Sequence, residues 1–349
     1  MRVTVQIMRL HTKYPFRIAR GVKDAVQNVC FRVEEDGVIG YGEASPNTYY
    51  GERPESIAEQ LLGMRDYLSG KTVTNAGDIT GLWEDAKKRF APSNASLCAL
   101  DVALWDFLGK KRGKSVSELV WKRKPVSFMT SYTFALCPKE EWKIRLADLE
   151  PCKAIKIKSD AEENLRLPAW IKERSDARLR IDANCSWQPK KVSGLLKSLT
   201  AMNIELVEQP LPPALDGEMA GLLAEASVPV FADESCVTER DVERLEGKFS
   251  GVNIKLVKCG GLTPGIRLLS RAKEHNLKVM VGCMLESDVL ISAGSVLAQE
   301  TDFADLDGSW LLRDHPFTGI RYENGIVIPS GEPGLGVQPV DTAGQLQFC

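Results

Sequence analysis

A chain of 349 residues is too long for one ordinary hydrophobic core, and its 44% apolar and 26% charged residues are the balance of a globular protein. The net charge of −2 excludes the electrostatic footprint of a nucleic-acid or anionic-membrane binder, and no apolar run reaches the roughly eighteen residues of a membrane span. The opening MRVTVQIMRLHTKYPF alternates like a strand and lacks the continuous apolar core of a signal peptide, so the expected location is the cytoplasm.

Residues 1 to about 42 read as a three-stranded meander. Val3, Val5 and Ile7 alternate in the first strand, and Val26 to Val33 and Val38 to Tyr41 flank Glu35-Asp36-Gly37, whose Asp-Gly pair favours a tight hairpin. Two loops rich in Arg, Tyr and Gly, Pro15 to Gly21 between the first two strands and Ser45 to Gly51 after the third, suit recognition surfaces or lids. Ser56-Ile-Ala-Glu59 has the form of a capping box, with Ile57, Leu61, Met64 and Leu68 on one helical face behind it. A second helix is expected from about Asn94 to Leu108, with Leu97, Leu100, Leu104 and Phe107 as its stripe and Asp101 and Asp106 as cap or ion-pair partners. These elements make an α+β domain over residues 1–122.

From there the pattern changes. A first strand is expected over Phe128 to Thr133, and five short apolar runs then end in a charge: AIKIK at Lys158, LRID at Asp182, IELVE at Glu208, PVFAD at Asp233 and VNIK at Lys255. Successive spacings of 24, 26, 25 and 22 residues are the length of a strand, a loop and a returning helix. Runs of β-branched residues with little alternation belong to parallel strands buried on both faces. Lys278 to Gly282 and Phe303 to Asp305 supply a seventh and an eighth strand, so the fold expected over 123–318 is a (β/α)7β barrel. Residues 319–349, with the hairpin signal Asn324-Gly325 and the loop Pro333-Gly-Leu-Gly336, form a tail expected to pack back on the first domain.

Any one charged residue after an apolar run is usually a solvated strand end, but five in phase, of two chemical kinds, call for another explanation. In such a barrel the C-terminal strand ends converge on one mouth. Asp182, Glu208 and Asp233 would then offer only oxygen ligands, the set that suits one Mg²⁺, with Mn²⁺ as a substitute. Lys156 and Lys158 leave their strand by the same face, and at about 7 Å and an effective dielectric near 20 their repulsion of about 2 kcal/mol would lower one lysine toward neutral pH. Lys255 falls four strands further round, across the mouth. Two amines facing one carbon, with a cation to stabilise the enediolate formed when the proton beside a carboxylate leaves, are what a 1,1-proton transfer needs. Asn184 is expected to orient Asp182 or a metal-bound water, and Lys258 and Glu234 are read as supporting residues. Glu286, after the seventh strand, is left without a role.

None of the three histidines, His11, His275 and His315, follows an expected barrel strand, which disfavours histidine-centred catalysis and most zinc sites. Nine scattered cysteines without a CxxC read as reduced thiols.

The series KIK, DAN, EQPL, ADES and NIKLVKCGGL resembles the enolase superfamily, muconate-lactonising subgroup, over nearly the whole chain. Lysine bases acting with Mg²⁺ on an enediolate are that superfamily's known chemistry. Within it, IARG at 18–21, GCM at 282–284 and ADLDG at 304–308 are similar to dipeptide epimerases of the L-Ala-D/L-Glu kind. The resemblance implies that Asp305 and Asp307 hold the α-ammonium group of a small dipeptide, that Arg20 meets the side-chain carboxylate of its C-terminal Glu, and that Phe16 and Tyr50 lie in the closing loops. It further implies a homo-oligomer and a setting in the recycling of cell-wall peptides. The competing readings are a lyase or cycloisomerase of the same superfamily, such as o-succinylbenzoate synthase or muconate cycloisomerase, and a binding protein without catalysis. The paired aspartates argue against the former, whose substrates carry no ammonium group, and a second base argues against the latter.

Overall fold

The computed structural model describes residues 1–150, 152–160, 165–224 and 227–340. Among them the alternating N-terminal segment folds as an antiparallel meander of β1 (Arg2–Ile18), β2 (Gly21–Glu35) and β3 (Val38–Ala44). Asp36 and Gly37 both take positive φ, 51° and 78°, the geometry that lets a two-residue turn follow the strand twist. The first strand is longer than its alternation indicates: Ile7 is half-buried, while Met8 and Leu10 are buried. Pro15 to Gly21 is likewise not a loop. After a register shift between His11 and Phe16 the ladder resumes, Phe16 opposite Lys23 and Ile18 opposite Gly21, leaving only Ala19 and Arg20 at the tip.

Helices α1 (Pro54–Gly63), α2 (Arg65–Ser69), α3 (Ala76–Phe90) and α4 (Asn94–Arg112) follow. The expected stripe Ile57, Leu61, Met64 and Leu68 is buried, but Ser56 does not cap it: Pro54 starts α1 earlier, behind Arg53, which makes no side-chain cap. Reciprocal capping boxes lie instead at Asn75 with Asp78 and Ser115 with Glu118. The stripe expected of α4 is buried, and so is every other residue from Ala95 to Gly109, because the helix lies between the sheet and the barrel. On the sheet side Gly40 and Gly42 allow contact with helix backbone; a Cβ at Gly42 would fall 1.9 Å from the Ala99 carbonyl oxygen. On the barrel side the Asp101 carboxylate accepts the Thr263 N–H at 2.9 Å, and Trp105 Nε1 donates to Thr263 Oγ1 at 2.9 Å. Trp83 Nε1 reaches the Gly260 carbonyl at 2.7 Å.

The next two strands correct the expected one over 128–133. β4 (Phe128–Met129) pairs with the tail, and the first barrel strand is β5 (Tyr132–Phe134). Between them Thr130 donates its N–H to Gly325 and accepts the Leu306 N–H on Oγ1, which turns the chain from one sheet into the other. Then come β6 (Ala154–Lys158), β7 (Arg178–Asp182), β8 (Leu206–Glu208), β9 (Val230–Ala232), β10 (Gly251–Lys255), β11 (Lys278–Gly282) and β12 (Phe303–Asp305), each parallel to its predecessor. The Ser131 N–H to Ala304 carbonyl bond joins the first strand to the last and closes the ring of eight.

β13 (Phe317–Thr318), β14 (Ile320–Glu323), β15 (Ile326–Pro329) and β16 (Gln338–Pro339) make up the described tail. The β14–β15 hairpin turns at Asn324 and Gly325, both at positive φ, and extends a three-stranded sheet with β4. Further on, Leu335 N–H donates to Asp106 in α4, whose carboxylate also takes Tyr41 N–H and Lys110. Residues 341–349 of the expected tail, Cys349 included, lie outside the described residues. The other eight cysteines are free thiols. Among the described residues no helix is long and apolar enough to cross a membrane.

Substituting Gly42→Ala forces backbone against backbone where α4 seats on the sheet, and an expected loss of about 3 kcal/mol follows. Denaturant unfolding of the variant beside the parent protein measures it.

Candidate active site

Each barrel strand delivers its last residues to one rim because the strands run in parallel and in register. Lys158 lies opposite Asp182, and Asp182 opposite Glu208, on adjacent strands. Above this rim lies a cavity of about 370 Å³, covered by the β1–β2 tip and the 45–50 loop. Of the residues singled out from the sequence, Phe16, Arg20, Tyr50, Lys158, Asn184, Asp233, Lys255, Asp305 and Asp307 line it. Lys156, Asp182 and Glu208 are buried just beneath. Lys158 and Lys255 end β6 and β10, four strands apart in a ring of eight, and so stand on opposite walls.

The buried charges compensate one another. Lys156 Nζ lies 2.6 Å from Asp305 Oδ2, 2.8 Å from Glu208 Oε2 and 3.1 Å from Asp182 Oδ2. Lys158 Nζ is 2.6 Å from Asp182 Oδ2, and Lys255 Nζ is 2.9 Å from Asp233 Oδ2. Lys258 is held by four acceptors: Asp233 Oδ1 and the carbonyls of Asp233, Cys236 and Asn253.

This geometry corrects one expectation. Burial works to lower the Lys156 ammonium, but Asp182, Asp305 and Glu208 outweigh it and hold its pKa well above the ordinary lysine value. Lys255 is raised as well, since Asp233 and Glu208 overcome its burial. The lysine–lysine repulsion of about 2 kcal/mol is smaller than each carboxylate contact near 3 Å at the same dielectric, so the acids hold Lys156 as their counter-ion.

The acids respond to the same field. Burial would raise Asp182 and Asp233, yet Lys156, Lys158 and Lys255 around the former, and Lys255 and Lys258 around the latter, keep both below the ordinary carboxylate range. Glu208 goes the other way, pushed up to about 7 by burial and by Asp182. Asp305 is lowered, its burial outweighed by Lys156 and Lys158, whereas burial and Asp305 push Asp307 up to about 7. Asp305 also receives Ser131 Oγ at 2.7 Å, and Asp307 receives the Thr133 N–H at 2.6 Å.

Among the described residues no three acidic side chains converge in a coordination geometry as they stand; the Lys156 ammonium sits among them. The donor set nevertheless fits a hard divalent cation. It is all oxygen, and Glu208 Oε2 is buried with a charge contact to Lys156 but no hydrogen bond. A cation at that oxygen would also compensate a carboxylate that burial and the neighbouring Asp182 both disfavour.

Several supporting residues escaped the sequence reading. Asn253, two residues before Lys255 and therefore on its face of β10, donates to Glu208 Oε1 at 2.9 Å. Gly282 makes room for it, since a Cβ there would fall 2.5 Å from Asn253 Oδ1. Gln209 Oε1 accepts the N–H groups of Asp233 and Ser235, fixing the turn that presents Asp233. Asn184 holds Asp182 through its backbone N–H, at 3.0 Å, from a left-handed conformation with φ 44°. Glu234, read as supporting, lines the cavity and pairs with Arg20 at 2.7 Å. Glu286 accepts the Met284 N–H at 2.9 Å and is pushed up to about 8 by burial; it is absent from the cavity wall. None of the histidines lines the cavity either.

Residues 2–120 match the model of the mandelate racemase / muconate lactonizing enzyme N-terminal domain, and residues 141–343 match the enolase C-terminal domain-like model. An L-Ala-D/L-amino acid epimerase from a Maribacter species is 33% identical, covering 97% of this chain and 99% of the relative. The L-Ala-D/L-Glu epimerase of Escherichia coli is 31% identical over 90% of this chain and 95% of its own. Among solved structures, the dipeptide epimerase of Enterococcus faecalis complexed with Mg and L-Leu-L-Tyr superposes with a TM-score of 0.88 at 26% identity, covering 96% of this chain and 98% of that one.

Replacing Lys156 by Met leaves Asp182, Glu208 and Asp305 buried without their shared cation. The expected cost is about 3–5 kcal/mol in chelator-treated protein, measured by denaturant unfolding. Added Mg²⁺ is expected to restore part of it.

Proposed function

The chain belongs to the mandelate racemase / muconate lactonizing enzyme family of the enolase superfamily, and from that premise we propose that it is an epimerase of dipeptides, inverting the α-carbon of the C-terminal residue. L-Ala-L-Glu, interconverted with L-Ala-D-Glu, is the first substrate to try. The observation that carries this reading is the placing of Lys158 and Lys255 on opposite walls of one cavity, with paired aspartates on the wall beside Lys158.

Lys158 and Lys255 are the two acid/base groups. One removes the α-proton and the other, already protonated, returns a proton to the opposite face, so that a single carbon is inverted without any bond to the protein. Asp182, Glu208 and Asp233 would hold the divalent cation, Mg²⁺ with Mn²⁺ as substitute, which when bound would offset negative charge on the substrate carboxylate. Lys156 compensates the acids beneath the cavity and keeps Asp305 ionised. Asn184 and Asn253 bond to the Asp182 and Glu208 carboxylates, and Gln209 fixes the backbone that presents Asp233.

Asp305 and Asp307, on β12 and just beyond it, are the acceptors for the α-ammonium group of the dipeptide. They separate this reading from a lyase or cycloisomerase of the same family, whose substrates offer no cation to that wall. Phe16 and Tyr50 close the cavity from the capping side, with Lys158 Nζ 5.9 Å from the Phe16 ring centroid.

In D₂O with Mg²⁺, a panel of L,L-dipeptides is expected to gain one mass unit at the C-terminal residue together with inversion there. Absence of exchange with every dipeptide would remove the proposal. Asp307→Asn is expected to raise KM for dipeptides about tenfold or more by removing a charge-assisted contact, with a smaller effect on kcat.

A further inference from the structure

Arg20, at the tip between β1 and β2, turns toward the barrel. Its Nη1 donates to Glu234 Oε1 at 2.7 Å and to the Asn184 carbonyl at 3.1 Å, and its guanidinium lies 4.7 Å from the Tyr49 ring centroid. Both hydrogen bonds run through Nη1. Among the described residues the Nε and Nη2 N–H groups, the edge that grips a carboxylate with two prongs, make none. Arg20, Tyr49 and Glu234 all line the cavity, and the Glu234 side chain is only 2% exposed against 33% for Arg20.

Two roles for Glu234 are conceivable from this contact. It could compete with an acidic substrate for the guanidinium, or it could hold the guanidinium ready. Competition would strip a buried carboxylate of its cation to make a more exposed pair, which is an unfavourable exchange. Holding needs no such loss, since one nitrogen serves Glu234 and the opposite edge remains for a second carboxylate. It also removes the rotamer freedom that a long arginine at a hairpin tip would otherwise lose on binding.

Building on the epimerase reading, we propose that Glu234 is a positioning residue for Arg20: it fixes the guanidinium by Nη1 at the barrel mouth so that the other edge reads an acidic side chain on the C-terminal residue. Specificity at the lid then depends on a residue of the β9 rim, adjacent in sequence to Asp233.

The test compares kcat/KM for L-Ala-L-Glu with that for its neutral isostere L-Ala-L-Gln, a ratio that general damage to the active site does not move. Glu234→Gln is expected to lower the Glu/Gln ratio about tenfold, through KM for L-Ala-L-Glu. Arg20→Met is expected to lower it at least as far, and adding Glu234→Gln to Arg20→Met to change it no further. An unchanged ratio in Glu234→Gln would make Glu234 merely structural, and a raised ratio would make it a competitor; either result overturns the proposal. Should Glu234→Gln turn over neither dipeptide, calorimetric binding of the same two in Mg²⁺ supplies the ratio. Failure of the parent protein to act on any dipeptide would sink the epimerase reading itself, whereas an active parent with an insensitive ratio sinks only this inference.

Discussion

The structure depends on a problem of charge: a ring of parallel strands carries carboxylates and ammonium groups into a space that water scarcely enters. Unpaired, any one of them would cost several kcal/mol. The solution is mutual enclosure, with Lys156 among Asp182, Glu208 and Asp305, and with Asp233 between Lys255 and Lys258. Compensation is uneven, and the unevenness is informative. Asp182 and Asp233 are held ionised, while Glu208, with one oxygen lacking a hydrogen bond, is the least satisfied of the three acids around Lys156.

The capping sheet and the barrel meet through α4, whose two faces are both buried. That helix fixes the sheet by backbone contact at Gly40 and Gly42 and grips the barrel through Asp101, Trp105 and Thr263. The β1–β2 hairpin extends from this rigid base across the mouth, ending in Arg20. A lid whose tip is held by strand pairing is better defined than one made of loop, which suits a cavity that must exclude water while a proton leaves carbon.

Much of this was legible in the sequence because the barrel repeats itself. The charged strand ends at Lys158, Asp182, Glu208, Asp233 and Lys255 all fall on the rim, since strand length and crossover length set their phase. The errors lie where that regularity stops. Phe128 to Thr133 reads as one apolar run, but the Thr130 hydroxyl and a tail hairpin far along the chain divide it between two sheets. Pro15 to Gly21 reads as loop from its composition, yet cross-strand pairing with β2 keeps it extended. The ordering of charges was also misjudged. Spacing along β6 shows that Lys156 and Lys158 are neighbours, but not that Asp305, on the far end of the sheet order, closes round to meet Lys156. Glu234 carried no signal beyond its place next to Asp233, and Asn253 none beyond sharing a face of β10 with Lys255.

Two opposed amines acting on one carbon are the centre of the account, and isotope exchange in single-lysine variants addresses them most directly. Lys158→Ala and Lys255→Ala would each be incubated in D₂O and Mg²⁺ with L-Ala-L-Glu and, separately, with L-Ala-D-Glu. The account predicts that neither variant epimerises, and that any α-proton exchange left in one variant is confined to one antipode, with the opposite antipode in the other. Epimerisation surviving in either variant, or exchange of the same antipode in both, would contradict it.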